Sequence, residues 1–231
     1  AGSHDEGHRR TIWMDQGDLG LVPHGNSHPV VAATTGGHSV GRRTPCCRMT
    51  RLIPAQQRLA KTASGFLGAG RIVAKGKRFS YDCSGLARGV YFAQGIDLVK
   101  GVSSWSGQNG VRLIYQHISR HGRLHTGPVV QPGDLVFFHN TWDANGDGRV
   151  NDRWTHVGIV ERVQDDGTVV FISRVSRGIE RYRINLRYPH LHRSGDGRLL
   201  NDFMRKKRRT DPSQTQYLTG QLFAAFGTLT H

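Results

Sequence analysis

The stretch FSYDCSGLARGVYFAQGIDL, Phe79 to Leu98, sets one cysteine after a polar turn and in front of an apolar run. Leu86, Val90 and Phe92 carry that run to Gly95, which predicts a helix opening at or just after Cys83. A helix N-terminus presents unpaired N–H groups and partial positive charge. A cysteine placed there has a stabilised thiolate, a lowered pKa and donors ready for an oxyanion. Asp82 opposes ionisation if it faces the sulfur, so it is better placed capping the helix or meeting a cationic substrate group. Gly85 permits close approach of another backbone or a substrate. Taken alone, Cys83 reads more readily as a buried core residue, so the rest of the chain has to decide.

Upstream, Leu52, Ile53, Leu59, Ala60, Ala63 and Leu67 recur at near-helical spacing before the glycines of LGAG, and downstream SGQNGVRLIYQHISRHG puts Val111, Ile114, Tyr115 and Ile118 on one face. After Gln131-Pro132-Gly133 the pattern changes to strands: DLVFFH, THVGIVERV, TVVFISRV and GIERYRI, divided by turns such as Asp165-Asp166-Gly167. Helices first and strands later predict an α+β fold rather than a doubly wound parallel sheet. A last amphipathic segment, YLTGQLFAAFGTL, is expected to pack back onto the sheet. Residues 1–48, rich in Gly, His, Ser, Thr and Arg, read as an irregular arm and 49–231 as one domain. The arm's His4, His8, His24, His28 and His38 are too irregularly spaced to favour a metal site over solvated loops.

Lys and Arg outnumber Asp and Glu by 32 to 17, a formal charge of +15, which favours anionic partners such as an acidic cell-wall polymer, anionic lipid or nucleic acid. The densest run, Arg205-Lys206-Lys207-Arg208-Arg209, reads first as solvated surface. No nucleic-acid motif or interleaved aromatics accompany it, so nucleic acid is disfavoured as a partner. No apolar run reaches the length of a bilayer span. The opening AGSH fits either removal of a leader or a cloning remnant. Three cysteines, two of them the adjacent Cys46 and Cys47, make no disulfide framework, and the CxxC and HExxH zinc patterns are absent.

A thiolate needs a base, and THVGIV offers His156 near the start of a strand, on one face with Gly158 and Val160. Taken together and in order, YDCSGLARGVYFAQGI, QPGDLVFF and THVGIVERV resemble the blocks of NlpC-type and CHAP-type (cysteine, histidine-dependent amidohydrolase/peptidase) cell-wall peptidases over roughly residues 51–190. The resemblance implies a papain-like fold, with N-terminal helices packed against a central antiparallel sheet. It further implies Cys83 as nucleophile, His156 as general base, and a third residue on the next strand to orient the imidazole. Ser173, seventeen residues after His156, lies near where CHAP-type members carry an acidic or amide side chain, and a hydroxyl stabilises imidazolium less than a carboxylate does. Similarity to NlpC-type members assigns stem-peptide binding to Tyr81, Asp82 and Ser84.

The implied activity is hydrolysis of amide bonds in peptidoglycan stem peptides, needing no cofactor for catalysis and located outside the bacterial cytoplasm: periplasmic, in the cell envelope or secreted. Transfer of the acyl group to an amine, and a non-catalytic wall-binding module with a decayed triad, stay open as alternatives. Oligomeric state is not read from the sequence.

Between the second and third blocks, DANGDGRVNDRW places Asp143, Asn145, Asp147, Gly148, Arg149 and Asn151 at positions 1, 3, 5, 6, 7 and 9 of an EF-hand-like calcium loop, Arg149 through its carbonyl. Position 12 is Trp154 rather than Glu, and Asp152 is the available substitute. An Asx-turn-rich loop without metal accounts for the pattern as well as a structural calcium does.

Overall fold

The computed structural model describes residues 54–101 and 109–229. The elements run α1 (Pro54–Gly65), β1 (Ile72–Ala74), β2 (Lys77–Phe79), α2 (Cys83–Ala93), α3 (Gly110–His121), β3 (Arg123–His125), β4 (Leu135–Phe138), β5 (His156–Val163), β6 (Val169–Val175), β7 (Gly178–Ile184), α4 (Thr219–Leu222) and β8 (Phe223–Thr228). The architecture is α+β: a six-stranded sheet of order β3-β8-β4-β5-β6-β7, every pair antiparallel, with the helices largely preceding it in sequence. The residue 1–48 arm with its histidines, Cys46 and Cys47, and the expected starts of the first and third helices at Leu52 and Ser106 lie outside the described residues.

One sheet face carries Leu135, Phe137, Val157, Ile159 and Ile172 against Leu59 and Ala63 of α1, Leu86 and Val90 of α2, and Ile114 and Ile118 of α3. The opposite face carries Val136, Phe138, Val160 and Phe171, covered by Leu222 of α4 and by Leu186 and Met204 from the long excursion after β7. With both faces covered, β4 is buried at every position, which is why DLVFF reads as an unbroken apolar run rather than an alternating one. The excursion is tied down by Asn201, fully buried. Its amide donates to the carbonyls of Tyr188 and Leu191, and its side-chain oxygen accepts the N–H of Asn185.

Two local features place α2. Asp82 lies in extended backbone and its Oδ1 accepts the Gly85 N–H at 2.7 Å, an N-cap worth about 1 kcal/mol. A β-carbon at Gly85 would fall 1.9 Å from the Ser80 carbonyl oxygen, and one at Gly89 2.6 Å from Ile72, so glycine at both positions lets the β1–β2 hairpin and the turn before α2 lie directly on the helix. The far side is fixed by Gln131-Pro132-Gly133-Asp134, where the Asp134 N–H returns to the Gln131 carbonyl and Gly133 has φ +87°, as a type II turn requires. Tyr91 of α2 donates its hydroxyl to the Gly133 carbonyl at 2.6 Å, while Gly133 N–H meets the Val160 carbonyl and Val160 N–H the Asp134 carbonyl. The QPGD turn thus clamps α2 to β5.

Three features escape the sequence pattern. The β1–β2 hairpin and β3 are three-residue strands, too short to show alternation. The closing segment YLTGQLFAAFGTL, expected as one amphipathic unit, divides at Phe223 into α4 and β8, and β8 enters the sheet between β3 and β4 instead of packing onto it. The excursion after β7 has no periodic signal, because its order comes from side-chain hydrogen bonds such as those of Asn201.

Replacing Gly133 with Ala forces a left-handed backbone on an L side chain and sets a β-carbon 2.7 Å from the Gln56 carbonyl oxygen. The expected cost is about 2 kcal/mol of unfolding free energy, measured by urea denaturation, and an unchanged midpoint would show that the turn does not constrain the fold.

Candidate active site

Cys83 opens α2 and His156 opens β5, and both line one open cleft together with Asp82, Ser84, Asn109 and Thr155. The backbone N–H groups of Val157, the residue after His156, and of Ser84 and Cys83 at the start of α2 lie near enough to the Cys83 sulfur to favour its thiolate. The sulfur therefore lies close to the first residues of β5. Among the described residues Cys83 is a free cysteine, partly exposed at the cleft wall.

Ser173 lies on β6, fully buried, with its Oγ 2.8 Å from His156 Nε2 and 2.6 Å from the Val157 carbonyl oxygen. A serine hydroxyl has one proton, and the carbonyl can only accept it. The imidazole contact is then Nε2–H donating to Ser173 Oγ, which leaves Nδ1 as the basic nitrogen. The β5–β6 hairpin makes this contact: its turn is closed by Gly167 N–H to the Gln164 carbonyl and Gln164 N–H to the Thr168 carbonyl.

The electrostatics depart from the expectation of a lowered thiol pKa. Burial pushes the Cys83 thiol up to about 11; the N–H groups of Val157, Ser84 and Cys83 oppose that rise and the Asp82 carboxylate adds to it. Burial also takes the His156 imidazole down to about 4. The helix N-terminus acts in the expected direction but is outweighed by the loss of water around the sulfur. The resting pair is thiol and neutral imidazole, not thiolate and imidazolium.

The remaining assignments fall as follows. Asp82 caps α2 and also accepts the Ser84 hydroxyl at 2.7 Å, so its carboxylate serves the helix start. Ser84 lines the cleft, and a β-carbon at Gly110 would lie 2.4 Å from its Oγ, which brings the start of α3 against it. Tyr81 donates its hydroxyl to the Ala69 carbonyl at 2.7 Å and presents its ring to Arg174, whose guanidinium carbon is 4.6 Å from the ring centroid. Arg174, rather than Tyr81, faces the cleft.

Asn109 was not singled out from sequence, although Asn before a helical run is a cap signal. Its Oδ1 accepts the Val111 N–H and its Nδ2 donates to the Trp154 carbonyl, joining α3 to the loop that leads into His156. Arg205, read in the sequence as part of a solvated basic run, is instead buried. It pairs with Asp211 at 3.0 Å and donates to the Asn140 carbonyl, whereas Lys206 and Lys207 are exposed at the cleft rim.

In the 143–154 loop, Asp143 accepts the N–H groups of Gly146 and Gly148, and Asp147 accepts the Arg149 N–H and the amides of Asn145 and Asn151. Trp154 takes no ligand position: its ring packs on Tyr115 with centroids 4.9 Å apart. Asp152 is buried, with Oδ1 receiving the Asn145 N–H and Oδ2 unpartnered. Among the described residues no three His, Cys, Asp or Glu side chains already stand together as a metal centre.

A family model, the CHAP domain, matches residues 74–174. No curated protein and no solved structure gave a match. The matched span begins at β1, ends within β6, and contains Cys83, His156 and Ser173. This span is similar to the CHAP domain, a papain-like family whose members are typically peptidoglycan hydrolases.

Proposed function

We propose that the protein is a cysteine amidase or endopeptidase that hydrolyses amide bonds in peptidoglycan stem peptides outside the bacterial cytoplasm, with Cys83 as nucleophile, His156 as general base and Ser173 as the residue that orients the imidazole. The observation that carries this reading is the shared cleft: Cys83 and His156 both in its wall, and His156 held by Ser173 through Nε2 so that Nδ1 is the free base. The Ser173 contact supports a working relay over a decayed one. The basic surface suits an anionic wall.

The chemistry follows from a neutral resting pair. As sulfur adds to the scissile carbonyl, its proton passes to His156 Nδ1, so charge separates only while the bond forms. The N–H groups at the start of α2 supply donors for the oxyanion. The imidazolium then protonates the departing amine, leaving a thioester on Cys83. Water, deprotonated by the same nitrogen, attacks the thioester and restores the thiol.

Mass analysis of purified peptidoglycan after digestion tests the reaction. The wild type is expected to release fragments with one new amine and one new carboxyl terminus, and Cys83→Ala to release none; identical fragment spectra for the two would overturn the assignment. The depressed His156 pKa sets the acid limb. Protonation removes the base, so kcat/KM falls only as pH drops toward about 4, and the rate stays level from about pH 6 to 9. An acid limb centred at or above pH 6 contradicts that electrostatic picture.

Calcium is proposed as a structural ion of the 143–152 loop, not as a participant in the reaction. The donor set would be Asp143, Asn145, Asp147, the Arg149 carbonyl, Asn151 and Asp152, whose buried unpartnered Oδ2 is the support for it. The loop returns to the sheet through the Thr155 N–H and Phe138 carbonyl, directly before His156. Chelation is expected to lower the melting temperature by several degrees, and calcium to restore it; equal melting curves with chelator and with calcium would remove the ion from the structure.

A further inference from the structure

The cleft is rich in cations, and three of its arginines are already matched. Arg177 pairs with Glu180 at 2.9 Å, Arg181 with Glu161 at 2.7 Å and Arg205 with Asp211 at 3.0 Å. The carboxylates in the cleft wall are equally committed, Asp82 to the start of α2 and Asp202 to the Arg183 N–H. Arg174 differs. Among the described residues neither it nor the exposed Lys206 and Lys207 at the rim has a carboxylate partner within ion-pair distance, but of these three Arg174 is the one with a buried nitrogen, Nε, that has no hydrogen-bond acceptor.

Its position is nevertheless built. The guanidinium lies over the Tyr81 ring, and that ring is itself fixed by the hydroxyl's bond to the Ala69 carbonyl. Stacking orders the planar fork and leaves its edge for hydrogen bonding. On β6 Arg174 directly follows Ser173, which touches His156, so the fork lies in the wall of the catalytic cleft one residue from the imidazole's partner. A preordered, unneutralised guanidinium matches a planar oxyanion bidentately.

We infer that Arg174 is a specificity residue that binds a carboxylate of the substrate close to the scissile amide; this rests on the hydrolase reading above. Because the fork shares the cleft wall with Cys83 and stacks on Tyr81, two residues before that cysteine, the carboxylate belongs to the peptide being cut and not to a distant polymer. The stem-peptide carboxylate next to the cleaved bond is then part of what the enzyme recognises, and its amidation weakens recognition.

The test uses two synthetic stem peptides that differ only in carrying a free carboxylate or a carboxamide at the residue adjoining the cleaved bond. Wild type, Arg174→Gln and Arg174→Lys are compared in hydrolysis, and the same arginine substitutions in a Cys83→Ala background are compared in calorimetric binding. Wild type should prefer the carboxylate by about tenfold or more in kcat/KM, chiefly through KM, as expected for a charge-assisted hydrogen bond. Arg174→Gln should bring the ratio to within about twofold, and Arg174→Lys should keep part of it, since lysine retains the charge but loses the fork. A wild-type ratio near one, or a ratio that survives Arg174→Gln in a folded variant, overturns the inference. If no peptide is cleaved, the hydrolase reading fails by itself, and the binding ratio still decides whether Arg174 selects a carboxylate.

Discussion

The first turn of α2 has to meet the first residues of β5, and much of the molecule is arranged around that meeting. The sulfur of Cys83 lies near the Val157 N–H, in one cleft with His156, and this approach depends on how α2 is held. Asp82 and the close-packed Gly85 fix its start, and the Tyr91 hydroxyl on the QPGD turn fixes its body against the strand. Each device is a short-range rule: a cap, a glycine without a side chain, a left-handed turn residue. Together they set two residues 73 positions apart in one cleft.

Desolvation then governs the chemistry. A helix N-terminus typically contributes no more than about 2 kcal/mol to a neighbouring charge. Removing water from a thiolate costs more here, and the thiol rises to about 11 while the imidazole falls to about 4. Both shifts favour the uncharged pair. Ser173 fits this environment: a hydroxyl fixes the imidazole through Nε2 without placing a permanent charge beside it. A carboxylate in that place would stabilise imidazolium and pull the pair toward separated charges.

The CHAP match ends at residue 174, but the folded unit does not. β8 lies between β3 and β4, so the sheet is continuous only with a strand from the far end of the chain. The excursion after β7 covers the second sheet face and brings Phe203, Met204, Lys206 and Lys207 to the cleft. The residues surrounding Cys83 thus come from two sources: the matched segment, which carries Cys83, His156 and Ser173, and a C-terminal segment that shapes one wall of the same cleft.

Helices and strands with strong periodicity were legible without coordinates, because repeating apolar positions dictate which face is buried: α2 from Leu86 and Val90, β5 and β6 from their β-branched runs. Cys83, His156 and Ser173 could be singled out as candidates from the motifs and the family resemblance they carry, and the Asp82 cap from its place before the helix. Sequence could not supply the insertion of β8, the burial of Arg205 or the stacking of Arg174 on Tyr81. It also had the thiol shift in the wrong direction. Those outcomes depend on which atoms lie around a group after the chain closes, and both burial and pairing are sums over neighbours distant in sequence. Local pattern determined the elements and the candidate groups; tertiary packing decided their charges, their partners and the face they turn to the cleft.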